Sequence, residues 1–125
     1  MGYLIVFLGG GLGAALRHGI NQLAANTVGT RFPYGTLFIN VSGSFVMGLI
    51  VAWLAFKTKG EAQDWRLFIT TGILGGYTTF STFSLETALL YERGEAGLAA
   101  LYVAASVLLA IAGLFGGLYL VRSLT

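Results

Sequence analysis

Uninterrupted apolar length constrains this chain more than any other feature. Ala96 to Val121 is a run of 26 residues without a charge, and Tyr34 to Phe56 is a run of 23. A helix rises 1.5 Å per residue and a bilayer core is about 30 Å thick, so about 20 apolar residues make one crossing. Leu67 to Leu85 adds 19 uncharged residues, and the pattern continues past Glu86 to about Tyr91. The first run is less regular: Gly2 to Leu16 is uncharged, Arg17 and His18 interrupt it, and Gly19 to Val28 is mixed. Arg17 must then snorkel to an interface or face a polar interior. These runs read as four transmembrane helices over roughly 2–25, 34–56, 66–91 and 95–122, forming one domain over 1–125. Charged residues are only 10% of the chain, against about 25% in soluble proteins. So few charges could not cover the apolar surface of a soluble fold this small. The expected class is an all-α integral membrane protein.

Several functions are excluded early. There is no cysteine and one histidine, His18, so thiolate and multi-histidine metal sites within a chain are out. No run of Lys and Arg suits nucleic acid. No nucleophile–base pair points to an enzyme. No basic residue precedes the first apolar run and no A-x-A site follows it, so the run reads as a helix rather than a signal peptide. Lys57 to Arg66 is a charged, solvated loop, and Glu92-Arg93-Gly94-Glu95 is a tight turn. Ser44-xxx-Gly48 and Gly113-xxx-Gly117 have the spacing that lets helices pack closely.

Basic residues set membrane orientation. With four spans, one side carries Lys57, Lys59, Arg66 and Arg122, and the other carries Arg31 and Arg93, plus Arg17 if it snorkels there. Four against three is almost no bias. Such a chain is expected to insert both ways, and two opposed copies could pair about an axis in the membrane plane, as inverted repeats do within one chain.

Polar groups inside hydrocarbon need a reason. In the second span, Thr36, Asn40, Gly43, Ser44 and Met47 share one face, and Asn40 offers two amide donors to an ion or to a neighbouring helix. In the third span, 72–84 holds three glycines and five hydroxyls, poor helix material. Gly75-Gly76 is the expected break, and unwound backbone at that depth survives only inside protein or against a cavity. Phe80 and Phe83 project on one face beyond it, either packing or facing an ion. In the last span, Tyr102 and Ser106 share a face. These sets hold donors and no carboxylate except Glu86, near one end. Donor-rich, acid-poor lining suits a small anion that must exchange water for hydroxyl and amide donors. Aromatic ring edges carry the positive end of the quadrupole and can also face an anion. A dual-topology proton-coupled multidrug exporter is the alternative, but it requires an acid in the first span.

Gly75-Gly76-Tyr77-Thr78-Thr79-Phe80-Ser81-Thr82-Phe83-Ser84, Gly35 to Gly43 and Gly11 to Arg17 resemble the GGxTTFSTFS, GTLxxNxxG and GxxGAxxR segments of the Fluc (CrcB-type) fluoride channels. The resemblance covers essentially the whole chain. It implies a fluoride-selective channel giving passive export of cytoplasmic fluoride, built as an antiparallel, dual-topology homodimer of four-helix subunits in the cell membrane. Fluoride leaks in as neutral HF, ionises in the cytoplasm and leaves through the channel. The resemblance further implies a central structural sodium ion held by the backbone carbonyls of Gly75 and Thr78 from each subunit. It carries the fluoride pathway onto Asn40, Phe80, Phe83, Ser81, Thr82, Tyr102 and Ser106, and Thr36 joins them from the second-span face. Some members place a second serine where this chain has Ala110, and Glu86 matches an acid near a pore mouth.

Overall fold

The computed structural model describes residues 1–57 and 63–124. The order is α1 (Gly2–Thr27), α2 (Tyr34–Lys57), α3 (Gln63–Arg66), a π-helical segment (Leu67–Leu74), α4 (Gly75–Tyr77), α5 (Phe80–Glu92) and α6 (Ala96–Leu124). No strand occurs among the described residues. Half of the 57–66 loop, including Lys59 and Glu61, lies outside them.

Three helices are long and apolar enough to cross a membrane: Gly2–Thr27, Tyr34–Ala55 and Ala96–Leu124. The stretch 63–92 is divided at Thr78-Thr79, and α5, the piece beyond the break, has 13 residues. Neither piece alone reaches the length of one crossing.

Glycines set the helix pairs. A Cβ on Gly72 would lie 3.1 Å from the Gly9 Cα, and one on Gly76 would lie 2.9 Å from the Gly10 Cα. The π segment and α4 thus pack directly on α1, backbone against backbone. The α2–α6 pair uses the same device, with Gly48 against the α6 backbone at Leu114 and Leu118, and Gly117 against Phe45 and Leu49. The small-residue spacings of α2 and α6 therefore serve helix packing. Gly94, at φ +81°, turns the chain from α5 into α6.

The break lies three residues beyond the expected position. Gly75 is helical, at φ −63° and ψ −39°. The extended residues are Thr78 (φ −82°, ψ 158°) and Thr79 (φ −154°, ψ 123°). The physical reason is that the glycine pair supplies a smooth surface for α1, while the chain is opened at Thr79, whose backbone groups pair with Asn40 and whose hydroxyl caps Thr82 N–H. The eight-residue π segment was also not expected from the sequence, where 67–74 reads as ordinary apolar helix.

Candidate functional site

Two positions divert backbone amides at the break. In a continuous helix the Thr79 N–H would donate to the Gly75 carbonyl and the Thr82 N–H to the Thr78 carbonyl. Instead Thr79 N–H donates to Asn40 Oδ1 at 2.8 Å, and Asn40 Nδ2 donates back to the Thr79 carbonyl at 3.0 Å. Thr82 N–H donates to Thr79 Oγ1 at 3.2 Å. Thr79 is thus the N-cap of α5, in the manner usual for a hydroxyl residue. Asn40, in the first third of α2, holds both backbone groups of this cap. One Asn40 N–H remains beyond this pair.

The carbonyls released by the break are those of Gly75 to Thr78, and they include Gly75 and Thr78, the two that the resemblance assigns to sodium. The neighbouring Gly76 carbonyl accepts from Arg17 Nε at 3.2 Å. Arg17 therefore faces the break rather than snorkelling to an interface, which removes it from the orientation count. Among the described residues no three His, Cys, Asp or Glu side chains converge. Neutral carbonyl oxygens suit a hard monovalent cation, and these two fit the sodium role in chemistry.

A cavity of about 360 Å³ opens beside the break. Asn40, Gly43, Ser44 and Met47 form one wall, Thr78, Thr79, Phe80 and Phe83 a second, and Ser106 and Ala110 part of a third. Four of the five residues expected on one α2 face therefore line it. Phe80 is 77% exposed, whereas Phe83 is buried. Their ring centroids lie 5.5 Å apart, and Phe83 lies 5.1 Å from Tyr102. Ala110 leaves Ser106 without a second hydroxyl one turn away.

Thr36, the fifth residue of that face, lines a separate crevice of about 380 Å³ together with Glu86 and Arg93. Tyr102 joins the two spaces. It is fully buried, its ring packs on Phe83, and its hydroxyl donates to Glu86 Oε1 at 2.9 Å. Its proton is therefore committed to a carboxylate, a partner that the sequence placed near the mouth without linking it to Tyr102. Ser106 is 7% exposed and its hydroxyl has no hydrogen-bond partner, while the Thr36 hydroxyl, 1% exposed, lies within hydrogen-bonding reach of the Tyr102 side chain. Buried hydroxyls are usually satisfied, so Ser106 is marked as a place where a ligand or water completes the shell. Ser81 is exposed, with Oγ 3.4 Å from Thr79 Oγ1. Thr82 is half-buried beside it.

Residues 4–118 match the family model described as CrcB-like protein, Camphor Resistance (CrcB). The chain belongs to the CrcB family. A relative from Nitrobacter hamburgensis, named fluoride-specific ion channel FluC 2, is 66% identical over 125 residues, the whole of both chains. One from Rhodopseudomonas palustris, named fluoride-specific ion channel FluC, is 67% identical over the same full length. One of the same name from Granulibacter bethesdensis is 57% identical over 124 residues, 99% of this chain and 97% of that one. Family membership and three apolar helices make this CrcB protein a multi-pass membrane protein. The acid required by the multidrug-exporter alternative is absent from α1, whose basic side chains are Arg17 and His18 and which holds no Asp or Glu.

Proposed function

We propose that this protein is a fluoride-selective channel that passively exports cytoplasmic fluoride and so confers fluoride resistance. Full-length identity of about two thirds to relatives named fluoride-specific ion channels carries this reading. The unpartnered buried hydroxyl of Ser106 supports the route, because an anion shedding water needs donors and Ser106 beside the cavity has its own free. Fluoride passes Phe80, Phe83 and the remaining Asn40 donor, with Ser81 and Thr82 beside them, and crosses the Tyr102 position toward Glu86. Phe80 and Phe83 offer ring edges, which favour an anion without trapping it as a charge would.

The working unit is an antiparallel homodimer in the cell membrane, inserted in both orientations. Support comes from the open side of the site: Gly75 and Phe80 are exposed on the single chain, beside the cavity. A second copy covers that face and doubles the set of released carbonyls, making a neutral oxygen cage for one structural sodium ion. With Arg17 turned inward the basic count becomes four against two, so dual topology rests on the open face and the resemblance more than on charge balance.

Purified protein in liposomes tests the channel. Fluoride efflux without chloride efflux is expected, and equal or absent efflux overturns the reading. The chain is free of cysteine, so single cysteines placed in the 57–66 loop report topology directly. Labelling from both sides is expected; labelling from one side ends the antiparallel proposal.

A further inference from the structure

We propose that Arg93 is the counter-charge that admits the anion at the mouth beside α5. The inference rests on the fluoride-channel reading. The crevice lined by Thr36, Glu86 and Arg93 lies at the C-terminal end of α5. It is an unwelcoming place for an anion by itself. The last carbonyls of a helix carry its negative end, Glu92 is exposed at the same end, and Glu86 places a carboxylate inside the crevice. Arg93 is the one cation in the crevice lining among the described residues.

Its position follows from the sequence. Arg93 is seven residues beyond Glu86, which brings it to nearly the same helix face about 10 Å further out. It is also the C-cap of α5, where a cation offsets the helix end. Its guanidinium is aimed by two contacts: Nη2 donates to the Arg31 carbonyl at 3.1 Å and lies near Glu95, whose Oε2 is 3.9 Å away. Glu95 is shared, because its Oε1 meets Arg31 at 3.4 Å. One carboxylate shared between two guanidinium groups leaves Arg93 only partly neutralised by Glu95. An anion approaching Glu86 and the α5 end therefore meets Arg93 first. Behind it stands the buried Thr36 hydroxyl, 1% exposed and beside Tyr102.

The test is fluoride flux in proteoliposomes at subsaturating fluoride, comparing wild type, Arg93→Gln and Arg93→Lys across ionic strength set with potassium gluconate. At about 10 mM ionic strength the Debye length is ~30 Å, so the mouth charges act fully; near 1 M it is ~3 Å and they are screened. Arg93→Gln is expected to fall about fivefold at low salt and to converge on wild type at high salt. Arg93→Lys keeps the charge and is expected to stay near wild type throughout. A Lys variant as slow as the Gln variant, or a deficit that persists at high salt, overturns the proposal and makes Arg93 a structural clasp for the Arg31 loop. Failure of the channel reading looks different, because wild type itself would then carry no fluoride.

Discussion

Removing the Asn40 side chain tests the origin of the helix break. In Asn40→Ala, the Thr79 N–H loses its acceptor at 2.8 Å and the Thr79 carbonyl its donor at 3.0 Å. Each intramolecular hydrogen bond contributes about 1 kcal/mol net, and leaving a buried partner unsatisfied costs about 1–3 kcal/mol. Thr79 is half-buried, so the lower end applies and the pair is worth about 2 kcal/mol. That is roughly a 30-fold shift against the broken conformation, since 1.4 kcal/mol is tenfold. The Thr79 N–H could then return to the Gly75 carbonyl and the helix could close. Asn40→Asp is a harsher version. It keeps an acceptor for the Thr79 N–H but sets a carboxylate oxygen against the Thr79 carbonyl, and it adds a negative charge beside the anion route. Thermal unfolding in detergent and fluoride flux in liposomes read both variants. Expected outcomes are lowered thermal stability with strongly reduced flux for Ala, and abolished flux for Asp. An Asn40→Ala protein with wild-type stability and flux would refute the view that this amide holds the break open.

Three further outcomes are expected. Phe80→Ile and Phe83→Ile keep apolar bulk but remove the ring quadrupole; flux should fall by orders of magnitude while the protein still folds, whereas normal flux would return both rings to a packing role. Gly76→Ala places a methyl 2.9 Å from the Gly10 Cα and should destabilise by about 1–3 kcal/mol in unfolding measurements, while Gly19→Ala, whose Cβ would meet nothing within 4 Å, should be neutral or mildly stabilising. Replacing sodium with N-methylglucamine should lower the unfolding temperature, because an ion bound only by the folded state at 100 times its dissociation constant contributes about 2.7 kcal/mol; an unchanged unfolding temperature would count against the sodium cage.

Three of the four expected spans were legible because a membrane crossing is a one-dimensional property, whereas the third, 66–91, is divided at Thr78-Thr79. Twenty apolar residues in a row announce themselves wherever the partner helices lie. The helix limits accordingly moved by only a few residues, from 2–25 to Gly2–Thr27 and from 95–122 to Ala96–Leu124. The exact seat of the break was not legible, because it is made from α2. Gly75-Gly76 carries the local signal of a weak helix, yet the residue that opens the chain is Asn40, paired with a residue 39 positions away. Propensity reports what a segment would do alone; here a side chain on another helix decides. The same limit hid the Tyr102–Glu86 bond and the Arg17 contact to Gly76. Each needs two helices to be placed before it can be seen.

One physical pattern links the break to the chemistry proposed for it. A helix in lipid must satisfy every backbone group internally, so opening one in mid-membrane is expensive unless the freed donors are given partners. This chain gives two of the freed amides side-chain partners: Thr79 N–H goes to Asn40 and Thr82 N–H goes to Thr79 Oγ1. Arg17 takes the Gly76 carbonyl and Asn40 the Thr79 carbonyl. The side chains that hold the break, Asn40 and Thr79, also line the cavity beside Phe80 and Phe83. The break and the anion route are therefore built from the same residues, and a substitution that closes the helix should disturb both.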